Sequence, residues 1–139
     1  MLQDPFTIRS TTQGCDSCKV CVPSCYAVNL SFSPRKLVRK RHRDLEQSAV
    51  YCMGCYDTEA DLPILVDGSP VGLRKTGIVS DGCGLTCHHC RIYFRHNQQI
   101  FGMIASSLWM SGSCIESVPL ASFCPDCIEK LTITLSPKI

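Results

Sequence analysis

Four Cys-x-x-Cys pairs recur along the chain and restrict its fold more than any other feature: Cys15/Cys18, Cys52/Cys55, Cys87/Cys90 and Cys124/Cys127. Thirty-three residues separate the first pair from the second, and 33 separate the third from the fourth. A shift of 72 residues therefore superimposes all eight cysteines. The same shift places Lys19 on Arg91, Val28 on Ile100, Phe32 on Ile104, Leu37 on Trp109, Ala49 on Ala121 and Tyr51 on Phe123. This pattern is typical of a diverged duplication.

The spacing within each pair suits a thiolate metal site. Two thiolates on a tight turn can both point at one ion at about 2.3 Å, and two such turns complete a tetrahedron. A ligand set made only of sulfur favours zinc over hard cations. The sequence therefore predicts two Zn²⁺ ions, bound by Cys15, Cys18, Cys52 and Cys55 in the first repeat and by Cys87, Cys90, Cys124 and Cys127 in the second.

Four further cysteines stand outside this framework: Cys21, Cys25, Cys83 and Cys114. We expect them to be free thiols in or near the small cores. Cys21 and Cys25 lie close enough to Cys18 in the sequence to replace it as a ligand. His88 and His89 occupy the middle of the third turn and are expected to face solvent.

Disulfide bonds and redox chemistry are the main alternative to metal binding. The chain opens without a charged segment followed by an apolar one, so no export signal is expected and a reducing compartment is favoured. A thioredoxin-like motif would occur once, within a βαβ pattern, and none of the four pairs has that context. An interleaved cross-brace, as in RING domains, would need shorter and unequal intervals.

Hydrophobic periodicity predicts the same order of elements in both repeats. In the first repeat it predicts a strand at 26–32, a helix at 34–46 that begins at Ser33-Pro34, and a return strand at 49–51. The second repeat has a predicted strand at 98–104, a helical segment at 106–110 and a return strand at 120–123. The predicted fold class is α+β, with two tandem small four-cysteine zinc domains, each a short antiparallel sheet with short helices. The boundaries are an N-terminal arm (1–14), a first zinc domain (15–57), a linker (58–82), a second zinc domain (83–129) and a C-terminal tail (130–139).

Positive charge is concentrated in one short segment. Six of the 14 Lys and Arg residues fall within residues 35–43, although the net charge of the chain is only +2. Three interpretations fit this run: a solvated helix face, one wall of a groove that binds an acidic peptide, and a nuclear-localisation or nucleic-acid patch. Aromatic residues do not alternate with the basic ones, which weakens the case for single-stranded nucleic acid.

Enzymatic activity and membrane insertion are not expected. Four-cysteine zinc sites are closed and lack the open coordination position of catalytic zinc. The sequence shows no helical His and Glu metal motif and no Ser, His and Asp triad pattern. The most apolar stretch, residues 100–110, is too short to cross a membrane.

Two tandem Cys-x-x-Cys units with long equal intervals resemble early protein six of papillomaviruses. The basic residue after the first pair of each unit (Lys19 and Arg91) supports the resemblance, as does the aromatic residue before the second pair (Tyr51 and Phe123). The resemblance covers roughly residues 15–129. The longer intervals would make the chain a divergent member, from a virus of a non-mammalian host.

The resemblance implies a viral adaptor in the host nucleus and cytoplasm. Proteins of that family hold short acidic helical peptides of the Leu-x-x-Leu-Leu (LxxLL) kind between their two zinc domains. The captured host proteins include HECT ubiquitin ligases and Notch coactivators. By position in the family framework, the peptide-binding residues would be Leu37, Arg39, Arg41, Arg43, Tyr51 and Tyr56. A PDZ-binding tail is not expected, because Pro137 stands where such tails carry Ser or Thr.

Overall fold

Both repeats contribute strands to one four-stranded antiparallel sheet. The structure is a computed structural model that describes residues 13–16, 21–58, 61–74, 84–95 and 98–135. A two-stranded ribbon, β1 (Gln13–Gly14) with β2 (Cys21–Val22), precedes this sheet. The sheet itself holds β3 (Ser24–Ser33) and β4 (Gln47–Cys52) from the first repeat. A second ribbon, β7 (Gly84–Thr86) with β8 (Tyr93–Arg95), opens the second repeat, which adds β9 (Phe101–Met110) and β10 (Ser113–Phe123) to the sheet. The strand order is β10-β9-β3-β4.

The segment between the repeats forms a second layer over this sheet. Its described part is a hairpin of β5 (Asp61–Val66) and β6 (Ser69–Arg74), whose turn at Asp67-Gly68 has positive φ at both residues. β11 (Ile133–Leu135) pairs antiparallel with β5. Ile64, Val66, Ile133 and Leu135 are buried in one hydrophobic core with Val28 and Ile104 of the large sheet.

Two features differ from the predicted domain organisation. The described part of the segment predicted as a linker, residues 61–74, is a β-hairpin, and part of the predicted tail is a strand paired with it. The two repeats share one sheet and one core, because β3 and β9 pair over ten residues each. The α+β class with few helices is confirmed, while two separate tandem domains are not. Non-local pairing of this kind leaves no local signal in the sequence.

The helix predictions were partly wrong. Residues 34–46 contain a 3-10 turn (Arg35–Leu37) and a four-residue helix α1 (Lys40–Arg43), separated by extended backbone at Val38 and Arg39. No acidic residue lies in the first turn of either piece, and the basic side chains repel one another at helical spacing. The predicted helical segment at 106–110 is strand, within β9. Short helices instead follow the cysteines: α2 (Met53–Thr58) and α3 (Pro125–Lys130).

The strand register also corrects the internal alignment of the repeats. Tyr51 and Phe123 occupy equivalent positions before their cysteines and are 72 residues apart, as predicted. Their cross-strand partners, Tyr26 and Gly102, are 76 residues apart. Val28 is therefore equivalent to Ile104, and the matches with Ile100 for Val28, Ile104 for Phe32 and Trp109 for Leu37 were wrong. The segment from Cys90 to Gly102 is four residues longer than the equivalent segment from Cys18 to Tyr26. Connecting segments tolerate such differences in length.

Candidate metal centres and neighbouring grooves

The second repeat brings four thiols together. Cys87 and Cys90 lie on the turn after β7, Cys124 is the N-cap residue of α3, and Cys127 lies in the first turn of α3. Their Sγ atoms all lie within 4.8 Å of one another. The two turns are tied together, because the amide of His88 donates to the carbonyl of Ser122 and Ser122 Oγ donates to the carbonyl of Thr86.

The geometry of this cluster fits a tetrahedral metal ion. Sulfurs at about 2.3 Å from a central zinc would be separated by about 3.8 Å along each tetrahedral edge. The Sγ atoms of Cys90 and Cys124 are 3.7 Å apart. None of the nine cysteines whose side chains the structure describes is in a disulfide, so the four thiols of this cluster are available as ligands. These four residues would hold the ion, and with four thiolates they would leave no coordination position for a substrate.

The electrostatics of the metal-free cluster point the same way. Burial raises the pKa of Cys124 and of Cys127, and hydrogen bonding with neighbouring cysteines adds to the rise for Cys127. Burial also acts to raise the pKa of Cys87, but hydrogen bonds from backbone groups of Cys124, Cys90 and His89 outweigh it and bring that pKa to about 7. One thiol therefore ionises near neutrality while two neighbours hold their protons. A dication removes this conflict, because it stabilises all the thiolates together.

The first repeat forms a matching cluster in its described part. The Sγ atoms of Cys15, Cys52 and Cys55 lie within 4.8 Å of one another. Cys55 lies in α2, and its amide donates to Cys52 Sγ at 3.4 Å. Cys18, the predicted fourth ligand, lies outside the described residues. Cys25 is paired with Cys52 across the strands and is buried, and burial followed by the proximity of Cys15 raises its pKa.

The two histidines of the third turn contact the protein. His88 is half-buried and packs edge-on against Phe123, with ring centroids 6.0 Å apart. Burial, together with Arg91 and His89, lowers the pKa of His88. His89 is exposed, but its Nδ1 is 3.8 Å from Cys127 Sγ. The expectation that both face solvent was therefore wrong for His88, and His89 borders the sulfur cluster.

The basic segment connects the two repeats. Arg41 donates to Glu129 of α3 at 2.8 Å, and Nε2 of the buried His42 lies 3.6 Å from the same carboxylate oxygen. His42 Nδ1 accepts the amide of Arg39 at 3.2 Å. Arg35 pairs with Glu46 at 2.7 Å. Among the residues that the structure describes, no acidic side chain pairs with four members of the segment: Lys36, Arg39, Lys40 and Arg43.

An apolar concavity lies beside this segment, and we call it the inter-unit groove. It encloses about 250 Å³, including the space open to solvent, and is lined by Leu30, Phe32 and Leu45 of the first repeat and by Ile128, Leu131 and Ile133 of the second. Leu45 is 43% exposed and lies two residues after the end of α1. The groove is therefore formed by apolar residues of both repeats, and the basic segment lies at its edge.

The predicted peptide-binding residues have different positions. Leu37 is half-buried, and the side chains of Arg39, Arg41 and Arg43 are exposed on the basic segment. Tyr51 is only 2% exposed and belongs to the core. Tyr56 is also buried, and its ring stacks on Tyr26 with centroids 3.8 Å apart. Neither tyrosine lines the inter-unit groove, and a role for them in peptide binding stays a prediction.

Sequence reasoning missed the residues that do line the groove. Leu45 carried a helical signal, but Ile128, Leu131 and Ile133 reach the groove only through the packing of α3 and β11. Comparisons with family profiles, with curated proteins and with solved structures each returned no match to this chain. In the described part of the chain, no helix is long and apolar enough to span a membrane.

Proposed function

We propose that this protein is a zinc-binding viral adaptor, similar to papillomavirus early protein six. It captures short acidic helical peptides of the LxxLL kind from host proteins. Its bound partners are HECT ubiquitin ligases or Notch coactivators, whose activity it redirects in the host nucleus and cytoplasm. Two Zn²⁺ ions hold the binding surface together and take no part in chemistry, so the protein is not an enzyme.

The inter-unit groove carries this proposal. An amphipathic helix binds by inserting its apolar side chains, spaced at i, i+3 and i+4, into a hydrophobic groove. The six lining residues of the groove are all apolar, and one of them, Leu45, is 43% exposed. Leucines of an LxxLL helix are the apolar anchors that suit such a lining.

Charge favours an acidic ligand over a neutral one. The basic segment borders the groove, and Lys36, Arg39, Lys40 and Arg43 have no acidic partner among the described side chains. Carboxylates of a bound peptide would supply those partners. Such contacts mainly increase the association rate and weaken as salt is raised.

Binding of a labelled acidic LxxLL dodecapeptide, followed by fluorescence anisotropy, tests the proposal. Leu45→Glu places a charge in the groove and should weaken binding at least about tenfold, because a groove anchor is lost. Ile115→Glu is the matched control: Ile115 is 57% exposed and lies on β10, so affinity should be unchanged. Both variants should retain two zinc ions. Absence of peptide binding, or equal losses in the two variants, would refute the proposal.

Nucleic-acid binding by residues 35–43 is the second candidate. The four basic side chains without a described acidic partner favour it, because phosphates would bind them as carboxylates would. Arg39→Glu combined with Arg43→Glu weakens both kinds of ligand, whereas Leu45→Ala, which removes an apolar contact and adds no charge, weakens only the peptide. A steep salt dependence on duplex DNA, together with no peptide binding, would establish this alternative.

A further inference from the structure

A second concavity lies on the same face of the large sheet, near the turn between β9 and β10. It encloses about 390 Å³, including the space open to solvent, and is lined by Tyr26, Tyr56, Ser106, Leu108, Glu116 and Val118. None of these residues lines the inter-unit groove. The proposed peptide function therefore makes no use of it.

The walls of this concavity combine aromatic rings with negative charge. Tyr26 and Tyr56 stack at 3.8 Å with an interplanar angle of 12°. Burial raises the pKa of Tyr26, and the carboxylates of Asp57 and Glu116 raise it further, so both acids act on the tyrosine pair. No basic side chain among the described residues pairs with either carboxylate.

A buried hydroxyl at the concavity has no hydrogen-bond partner of standard geometry among the described residues. Ser106 is 5% exposed, and its Oγ makes no hydrogen bond of standard geometry to any described group. Burial raises the pKa of Tyr56, and the Ser106 hydroxyl opposes that rise, so the two side chains are neighbours in the wall of the concavity. A buried polar group without a partner is costly, and a ligand that donates a hydrogen bond would remove the cost.

We propose that the tyrosine pocket, formed by Tyr26, Tyr56, Ser106 and Glu116, binds a lysine side chain of a partner polypeptide. The aliphatic stem would pack on Leu108 and Val118, and the ammonium would lie against the tyrosine rings. Its three N–H groups match the acceptors at hand, a carboxylate of Glu116 and the hydroxyl of Ser106. The site takes a cation, whereas the inter-unit groove takes an acidic ligand.

The surroundings of the pocket favour a polypeptide as the source of the cation. Glu116 and Val118 lie on β10, which is an edge strand of the large sheet. Between Ser113 and Pro119 its outer edge has no partner strand within the described residues. Ile115 and Val118 are exposed there, at 57% and 37%. An extended chain passing along this edge would present its side chains to the pocket.

Titration of the zinc-loaded protein with N-acetyl-lysine N-methylamide tests the site. Ring resonances of Tyr26 and Tyr56 should shift saturably, while the norleucine analogue, which lacks the ammonium, should leave them unchanged. Glu116→Gln should weaken lysine binding about tenfold, as loss of a hydrogen bond to a charged group does. Ser106→Ala should weaken it by a smaller factor.

Asp44→Asn is the control for net charge, because Asp44 is exposed at the end of α1 and lines neither concavity. It should leave the lysine affinity unchanged. Equal binding of the norleucine analogue, equal losses in the Asp44 and Glu116 variants, or no saturable shift up to the solubility limit of the probe would each overturn the proposal. LxxLL peptide binding is measured on the same samples, so failure of one site is distinguishable from failure of the other.

Discussion

Single side chains decide how the second sulfur cluster responds to acid. The pKa of Cys87 is lowered to about 7, whereas those of Cys124 and Cys127 are raised. Metal binding must displace whatever protons the thiols still hold, so affinity falls as protons become available. Protons on the two thiols with raised pKa compete with the metal at and above neutrality. A proton on Cys87 competes only below about pH 7.

We therefore expect the apparent zinc affinity to fall with decreasing pH, and to fall more steeply below about pH 7. The sign follows from the lowered pKa of Cys87: its thiolate persists down to about pH 7 and is lost below that value. Competition with a chromophoric chelator across a pH series measures the slope. A break near pH 8.5, the ordinary value for a free thiol, would show that the backbone hydrogen bonds to Cys87 are absent in the metal-free chain.

Gly84 is restricted by its neighbours rather than by its backbone angles. A Cβ at this position would lie 2.5 Å from the Tyr93 ring and 2.7 Å from the carbonyl oxygen of Phe94. Because the carbonyl cannot move freely, Gly84→Ala should destabilise the protein by about 1–3 kcal/mol. Gly54→Ala is the matched control, since a Cβ there meets nothing within 4 Å and α2 is helical. It should be neutral or stabilising by up to about 1 kcal/mol. Urea denaturation of both variants measures the difference.

At the scale of elements, the short strands beside the cysteines could be predicted from the sequence, and the pairing between distant strands could not. Return strands at 49–51 and 120–123 were predicted because they are short, apolar and anchored by the following cysteine pair. Residues 106–110 were assigned to a helix, yet they are strand because β9 is held between β3 and β10. A five-residue apolar run is too short for its periodicity to distinguish a helix from a strand.

The same reason explains which site residues were found. The sequence located the cysteine clusters, because each pair is local and only the two halves of a site must meet. It did not locate the inter-unit groove, which depends on β11 reaching β5 and on α3 packing beside Leu45. Tyr51 and Tyr56 were assigned to a surface by their distance from cysteines. Tyr51 instead lies in the buried run 49–51 of β4, and Tyr56 is buried on α2.

β11 is a short strand with a large expected contribution to stability. Ile133 and Leu135 are buried, and Gln47 bonds to the backbone of both residues. A chain that ends after Thr132 should lose about 3–6 kcal/mol, which is the burial of two large aliphatic side chains. A chain that ends after Leu135 keeps the strand and should match the full-length protein. Thermal unfolding followed by circular dichroism compares the two, and equal midpoints would contradict this role for β11.

At the scale of the whole molecule, the shared core couples the two sulfur clusters. Residues from both repeats, including Val28, Tyr51, Ile104 and Phe123, belong to one buried cluster. Loss of metal from one repeat should therefore destabilise the other. Two separately folded domains would instead respond independently.

Cys124→Ser should lower the zinc content from two ions to one and shift the single unfolding transition of the entire chain to lower temperature. Cys114→Ser is the control, because Cys114 is exposed and lies outside both described clusters. It should keep two ions and the original midpoint. Native mass spectrometry counts the metal, and calorimetry follows unfolding. Two resolved transitions, with only one of them shifted, would mean that the repeats unfold separately.

The pairing of β3 with β9 has a consequence for how such a protein assembles. Asn29 and Ala105 are direct partners in the register, and the 76-residue offset makes them equivalent positions, so the contact has approximate two-fold symmetry. A contact of this kind is isologous, like the interface of a homodimer. One repeat expressed alone would present the same unsatisfied strand edge and would pair with a second copy of itself. Two intact chains at high concentration could likewise exchange halves, giving a domain-swapped dimer whose sheets match those of the monomer strand for strand.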